Sequence, residues 1–358
     1  MLPALFITAC KSKINTAAPV PPGAFWKPVG AIDFSPGQAN YTSLDVYNGT
    51  PYVAYEDSAN GYKATVMEYT GVSWTAVGNA GFSAGQAAYT SLFTDNGTLY
   101  AAYQDGGNDG KATVMTYTGV SWTTVGNAGF SAGWAYYTSL YVYSGTPYVA
   151  YEDVSNTGKA TVMEYTGGNW VPVGNQGFST STAYYESLYV YNGTPYVAFE
   201  DYANNDKATV MTYTGLSWTA VGNLGFSQGQ AIYTSLYLYN GTPYIAFEDN
   251  ANNNKATVME YNGSNWALIG NAGFSAGSAS YMSLFVYNGT PYVAYEDGGN
   301  SSKISAMKYN GITWSQIGVA GFSTGTSPYT SLFVYNGTPY VAYADNTKNN
   351  EATVMEYR

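Results

Sequence analysis

Short β-branched and aromatic runs, each closed by turn residues, follow one another along the chain. Tyr41 to Tyr47 (YTSLDVY) is one such run, and it ends at Asn48-Gly49. Both residues of that dipeptide tolerate the positive φ of a type I′ turn, so the pair predicts a hairpin. Pro51 to Asp57 (PYVAYED) is then a second strand, with its proline at the strand start, where a missing N–H is tolerated. Lys63 to Tyr69 (KATVMEY) is a third, and Thr70-Gly71 turns it into a fourth, Ser73 to Gly78 (SWTAVG).

The same four strands recur. Trp26, Trp74, Trp122, Trp170, Trp218, Trp266 and Trp314 are spaced by 48 residues, as are Phe34 through Phe322, Tyr41 through Tyr329 and Asp57 through Asp345. Seven four-stranded antiparallel units without insertion or deletion predict an all-β, seven-bladed β-propeller over residues 24–358. Blades that stack face to face cover their inner strands on both sides, so no clean polar face is expected at Leu44, Val46, Val53, Ala54, Val66 and Met67. The last unit supplies three strands before the chain ends, whereas Ala24 to Gly30, with Trp26, is a fourth strand without a blade. The ring is expected to shut by docking that segment beside Ala352 to Tyr357, which hides an otherwise open edge.

Composition narrows the chemistry. The chain has no histidine, its one arginine is Arg358 and its one cysteine is Cys10. Imidazole bases, His-dependent triads, His-ligated zinc and arginine clusters are therefore out of reach. A formal charge of -11 with no basic stripe argues against nucleic acid as a partner. Only 10% of residues are charged, and 39 tyrosines with Thr, Ser, Asn and Gly must cover a surface suited to the cell exterior.

The start of the chain differs from the rest. MLPALFITAC, residues 1–10, is apolar but too short to span a bilayer as a helix. Ile7, Thr8, Ala9 and Cys10 resemble a bacterial lipobox, which implies a lipoprotein signal peptide with lipidation at Cys10, although the usual positively charged n-region is absent. Residues 11–23, with three prolines, read as an extended tether. The expected setting is the bacterial cell envelope or surface, with membrane attachment only through Cys10, or a secreted protein.

The repeat resembles bacterial surface or secreted propellers with highly self-similar blades. Gly71-x-x-Trp74 also looks like the end of an Asp-box, the turn motif of sialidase-type propellers, but Glu68-Tyr69-Thr70 stands where its Ser-x-Asp portion belongs. That resemblance implies three arginines and a tyrosine nucleophile, and Arg358 alone argues against sialidase activity. PYVAYED lacks the Gly-Gly pair of kelch blades, and no WD dipeptide closes a strand. Fold carries over from such likeness more readily than function.

Alternating strand direction places both tight turns of a blade on one face, and the two-to-three loop with the four-to-one link on the other. The longer connections make the second face the expected binding surface. The axial mouth should open there, ringed by Tyr41, Tyr89, Tyr137, Tyr185, Tyr233, Tyr281 and Tyr329, for which aromatic packing is the plain explanation. Two link positions vary while their neighbours repeat. One holds Gln38, Gln86, Trp134, Thr182, Gln230, Ser278 and Thr326; the other holds Asn40, Ala88, Tyr136, Tyr184, Ile232, Ser280 and Pro328. Framework cannot require aromatics there, and a ring flanked by amides and hydroxyls is what a pyranose needs. Trp134, Tyr136, Tyr184, Gln86 and Gln230 are therefore candidate ligand-binding residues, with drift on a tolerant loop as the alternative. Glu186 joins them because it occupies a position that is threonine in five copies and Met282 in another.

Asp57 and Lys63, with their equivalents, bracket the two-to-three loop as an ion pair or an Asp-capped turn, with Lys348 a substitute where Glu351 replaces the lysine. One fixed carboxylate per loop does not make a calcium site, so neither metal nor cofactor is expected. The expected function is a noncatalytic, monomeric surface module that binds a glycan or an extracellular protein through the long-loop face. A glycoside hydrolase or lyase on that face, or a structural adhesin, is the alternative, since near-identical blades suit multivalency better than convergent catalysis.

Overall fold

A computed structural model describes residues 24–358; the signal peptide read over 1–10, Cys10 and the tether over 11–23 lie outside the described residues. Seven four-stranded antiparallel sheets follow in order. Blades 1 to 6 span residues 39–76, 87–124, 135–172, 183–220, 231–268 and 279–316. Blade 7 joins Ser331–Tyr335, Thr338–Asp345 and Glu351–Tyr357 to the N-terminal strand Trp26–Pro28, with Trp26 opposite Tyr357. The ring therefore closes as the strand count requires. Phe25 N–H donates to the Arg358 carbonyl at 2.7 Å, so the N-terminal segment joins the wheel on the tight-turn face.

Local chemistry explains the hairpins. Asn48 and Gly49 have φ of 50° and 81°, the pair of positive values a type I′ turn needs. The first strand differs from expectation at its start. It begins at Ala39 rather than Tyr41, and a bulge between Asn40 and Ser43 puts Tyr41 at φ 53°. All seven equivalent tyrosines share this conformation, from 51° to 59°, which is uncommon for a bulky side chain. In blade 7 Pro328 and the missing N–H leave only Ser331–Tyr335 as strand. Fourth strands are shorter than the run predicts, Trp74–Ala76 in blade 1.

The expectation of strands covered on both sides holds for the second strand, where Val53 to Asp57 are all buried. It fails for the first. There burial alternates, with Thr42, Leu44 and Val46 packed between blades and Tyr41, Ser43, Asp45 and Tyr47 only half-buried along the axis.

Adjacent blades are joined by the same contacts seven times. Each tryptophan indole donates to a carbonyl of the preceding blade, as Trp74 does to Val29 at 2.7 Å and Trp26 to Ile317 at 2.8 Å. A phenylalanine of the preceding link lies flat on that indole, Phe34 on Trp74 at 4.1 Å and Phe322 on Trp26 at 4.1 Å. Gly30, at φ 71°, keeps this corner open, because a Cβ there would sit 2.6 Å from the Tyr69 ring. Nearer the axis, Ser43 Oγ accepts the Leu92 N–H at 2.9 Å, and the last bond of that ring runs from Leu44 to Ser331 at 3.0 Å.

Removing residues 1–30 strips blade 7 of its fourth strand and one of the seven indole clamps. The truncated chain should aggregate or fail to fold, and Trp26→Ala alone should cost about 3–5 kcal/mol. Size-exclusion and thermal melting check this; a soluble truncation with unchanged melting temperature contradicts closure by this strand.

Candidate functional site

The face opposite the tight turns is built from two-to-three loops knitted to the links. Ser58 N–H donates to the Gln38 carbonyl at 3.1 Å, while Ala39 N–H reaches back to Asn350 of blade 7 at 2.8 Å. Each variable link position is thus pinned by backbone between the loops of two blades, and only its side chain is free to differ.

Of the two readings of the Asp–Lys bracket, the capped turn is correct. Asp57 is fully buried and accepts from Ala59 N–H at 3.0 Å, Asn60 Nδ2 at 2.8 Å and Thr65 Oγ1 at 2.8 Å. Lys63 stands opposite it in register without an ion pair; among the described residues the ion pairs are Lys27–Glu356 at 3.3 Å and Arg358–Glu356 at 2.7 Å, both in blade 7. Lys348 makes no ion pair, and Asp345 is held by Thr347 and Thr324 instead. The described residues contain no group of three or more His, Cys, Asp or Glu placed to share a metal ion.

The seven mouth tyrosines form a closed ring around a recess of about 220 Å³. Neighbouring ring centroids are 4.8 Å apart from Tyr41 to both Tyr89 and Tyr329, and tilted near a seventh of a turn, so these side chains pack on one another as the plain explanation holds. Burial pushes the Tyr41 hydroxyl up to about 12.

Two of the candidate aromatics stand together. Trp134 is 53% exposed and lies over Gly110 of the blade 2 loop. Tyr136 meets it edge to face at 5.9 Å and meets Tyr89 of the mouth ring at 5.9 Å, so one aromatic path runs from the rim to the axis. Tyr184, half-buried, follows one blade on. Gln230 Nε2 donates to Glu200 Oε1 at 2.8 Å, which makes it a partner of the scaffold as well as a surface amide. Gln86 is exposed, with its side chain beginning against Gly106 and apart from the aromatic group.

Glu186 is placed differently from its expected role as an accessible carboxylate. It is 6% exposed, and neither oxygen has a partner. Burial holds its carboxyl well above the usual range, and the nearby Glu152 adds to the shift. The equivalent threonines explain the position: Thr138 and Thr234 donate to the carbonyls of Tyr89 and Tyr185 in the preceding blade at 2.5 and 2.6 Å. Glu186 takes the place of such a donor and, when protonated, can serve as one.

Sequence reasoning missed a set of side chains on the second strands. Glu56, Glu152, Glu200, Glu248 and Glu296, with Gln104 in blade 2, lie one residue before the capping aspartates, paired in register with the second variable position, Asn40 opposite Glu56 and Tyr136 opposite Glu152. Turn length alone does not give that pairing: continued from Tyr47 opposite Thr50 it would set Asn40 against Asp57, and the bulge before Ser43 moves Asn40 to Glu56. Three of these carboxylates take a donor from the variable positions: Glu56 from Asn40 at 2.8 Å, Glu200 from Gln230, and Glu248 from Ser280 at 3.0 Å. Glu152 takes none among the described residues, and burial pushes it up to about 7. Gln104 Nε2 is likewise buried without an acceptor.

No protein-family profile matches this sequence, and no curated protein does. Solved structures do resemble it. An ulvan lyase, a polysaccharide lyase bound to a GlcA(1-4)Rha3S saccharide, superposes with a TM-score of 0.58 at 13% identity, over 90% of this chain and 94% of that one. The Aleuria aurantia lectin in complex with Fucα1-6GlcNAc gives 0.51 at 16% identity, over 82% and 100%. A mutant Trypanosoma rangeli sialidase displaying trans-sialidase activity gives 0.52 at 12% identity, over 95% of this chain and 60% of that one. At these identities the likeness shows the propeller fold, one that carbohydrate-binding and carbohydrate-cleaving proteins also use.

Because the folded state raises the Glu186 affinity for a proton, its contribution to stability is complete below the ordinary carboxylate range and is lost as pH rises toward the folded value. Glu186→Thr should raise the melting temperature, with about 1–3 kcal/mol gained at about pH 8 and less at about pH 5. Thermal denaturation at the two pH values decides it; a variant less stable than the parent at the higher pH contradicts the buried-carboxyl account.

Proposed function

We propose that this chain is a noncatalytic, monomeric cell-surface module that recognises a glycan through its long-loop face, at the corner formed by Trp134, Tyr136 and Tyr184. The observation that supports this most is the coincidence of two features. Around Trp134, Tyr136 and Tyr184, Gln104 Nε2 is buried without an acceptor and Glu152 takes no donor. A buried polar group without a partner costs about 1–3 kcal/mol, so a ligand able to supply both an apolar face and hydroxyl groups gains there what the scaffold forgoes. A pyranose has both. An extracellular protein presenting a polar aromatic surface is the other partner this corner would accept, and phosphate backbones are disfavoured by the charge of -11.

Glu152 also supports a catalytic alternative, a glycoside hydrolase or lyase on the same face, because a carboxyl near 7 is half-protonated at neutral pH. Turnover of polysaccharides that disappears in Glu152→Gln would establish it.

The cell surface is the proposed location, through lipidation of Cys10. The described chain begins on the tight-turn face, which also carries the exposed turn-tip residues Val72, Val120, Leu216 and Ile312, so an anchor upstream would direct the long-loop face outward. Cys10→Ala should move the protein from the detergent phase to the aqueous phase on phase partitioning; partitioning that does not change counts against the anchor.

On a glycan array, Trp134→Ala with Tyr184→Ala should reduce binding at least about tenfold, while the melting temperature stays within a few degrees, since Trp134 is 53% exposed. Binding retained in the double variant removes the site from this corner.

A further inference from the structure

The link positions around the long-loop face act as donors to the second-strand carboxylates. Asn40 serves Glu56, Gln230 serves Glu200 and Ser280 serves Glu248, while Ser302 neighbours Glu296. Between blades 3 and 4 the corresponding residues are Thr182 and Tyr184. The Thr182 hydroxyl is turned to the Thr157 carbonyl at 3.4 Å, and Glu152 is left 8% exposed with no donor. Its Oε1 and the Thr182 methyl both lie against Gly158 of the loop, where a Cβ would approach them to 2.9 and 2.8 Å. Tyr136 stands directly opposite Glu152 in the strand pair and meets Trp134 at 5.9 Å, so the aromatic group and this carboxyl belong to one corner.

Carboxylates gather there. Glu152, Glu200 and Asp206 all raise the Tyr184 hydroxyl, and none of the three is in an ion pair among the described residues. Lys159 and Lys207 begin the third strands, across from the buried Asp153 and Asp201. A neutral hydroxyl would satisfy the hydrogen bond to Glu152 but leave that charge uncompensated. An ammonium supplies donor and charge together, and a charge-assisted bond of this kind is roughly twice as strong as a neutral one. Tyr136, opposite Glu152 in register, favours the same ligand, since a cation over an aromatic ring is attracted to it.

We propose that the corner selects an oligosaccharide of free amino sugars, one sugar stacked on Trp134 and Tyr136 and the next placing its ammonium on the Glu152 carboxylate. This rests on the glycan-binding reading and narrows it to a cationic sugar; uronates and sialic acids would meet like charge.

The test is calorimetric titration of the full chain with a glucosamine tetrasaccharide and with its fully N-acetylated counterpart, which keeps the sugar rings and removes the charge. The free-amine form should bind at least about tenfold more tightly. Glu152→Gln should bring the two ligands within about threefold of each other. Glu296→Gln, which removes a carboxylate elsewhere on the same face, should leave the preference intact. Equal affinities in the parent protein, or a preference that survives Glu152→Gln, overturn the proposal. So does an equal loss in both variants, which would mean bulk charge attraction. Binding of other glycans that requires Trp134 and Tyr184, with no amino-sugar preference, defeats this inference while the site stands; binding of no glycan at all defeats both.

Discussion

Every blade is fixed to its predecessor by an indole N–H that reaches one carbonyl and a phenylalanine that covers the ring. The other features of the wheel depend on this clamp being the same at each junction. A ring of seven identical steps closes only if no step deviates, so one altered interface would have to be absorbed by the other six. That explains why Trp26 and Phe322, nearly three hundred residues apart in the chain, reproduce the geometry of Phe34 and Trp74. Glycine at positions such as 30 follows from the same demand, because the tyrosine and tryptophan of the next blade occupy the space a side chain would need. The serine hydroxyls that accept leucine amides set the spacing near the axis as the tryptophans set it at the rim.

The frame was legible because it is written seven times. Tryptophan spacing, the Asn-Gly turns and the orphan N-terminal strand led directly to blade count and closure, each by a local rule of chain geometry. The bulge at Tyr41 was not legible. A positive φ at tyrosine runs against intrinsic preference, and it recurs even where Glu186 or Met282 replaces the threonine that follows, so no single side chain in the sequence announces it. Alternating burial in the first strand was hidden for a related reason, since the sequence shows tyrosines on the strand but not that the axis leaves one side of them uncovered.

The candidate site was legible only in its variable half. Trp134, Tyr136 and Tyr184 stand out because other blades do without them, but Glu152 repeats in most blades and looks like scaffold. Its distinction is a missing partner. A difference of that kind belongs to a pair of positions, and it emerges only when strand register and the packing of neighbouring blades show which donor serves which carboxylate. Repetition hides a functional residue when the repeat itself is unchanged and its neighbour is what varies.

Glu152 and Glu186 show how burial alone fails to identify function. Both are almost fully enclosed, both are raised by desolvation, and Glu152 lies close enough to push Glu186 further up. Glu186 lies between blades in a place shaped for a threonine donor, where both of its oxygens are buried without a partner and burial favours the protonated form. Glu152 lies among a loop glycine, a short threonine and a tyrosine, on the face where the links meet. The first carboxyl can relieve its desolvation only by holding a proton, whereas the second can also do so by accepting a cation from outside. Access to a partner, rather than the size of the shift, separates a tolerated defect from a place to bind.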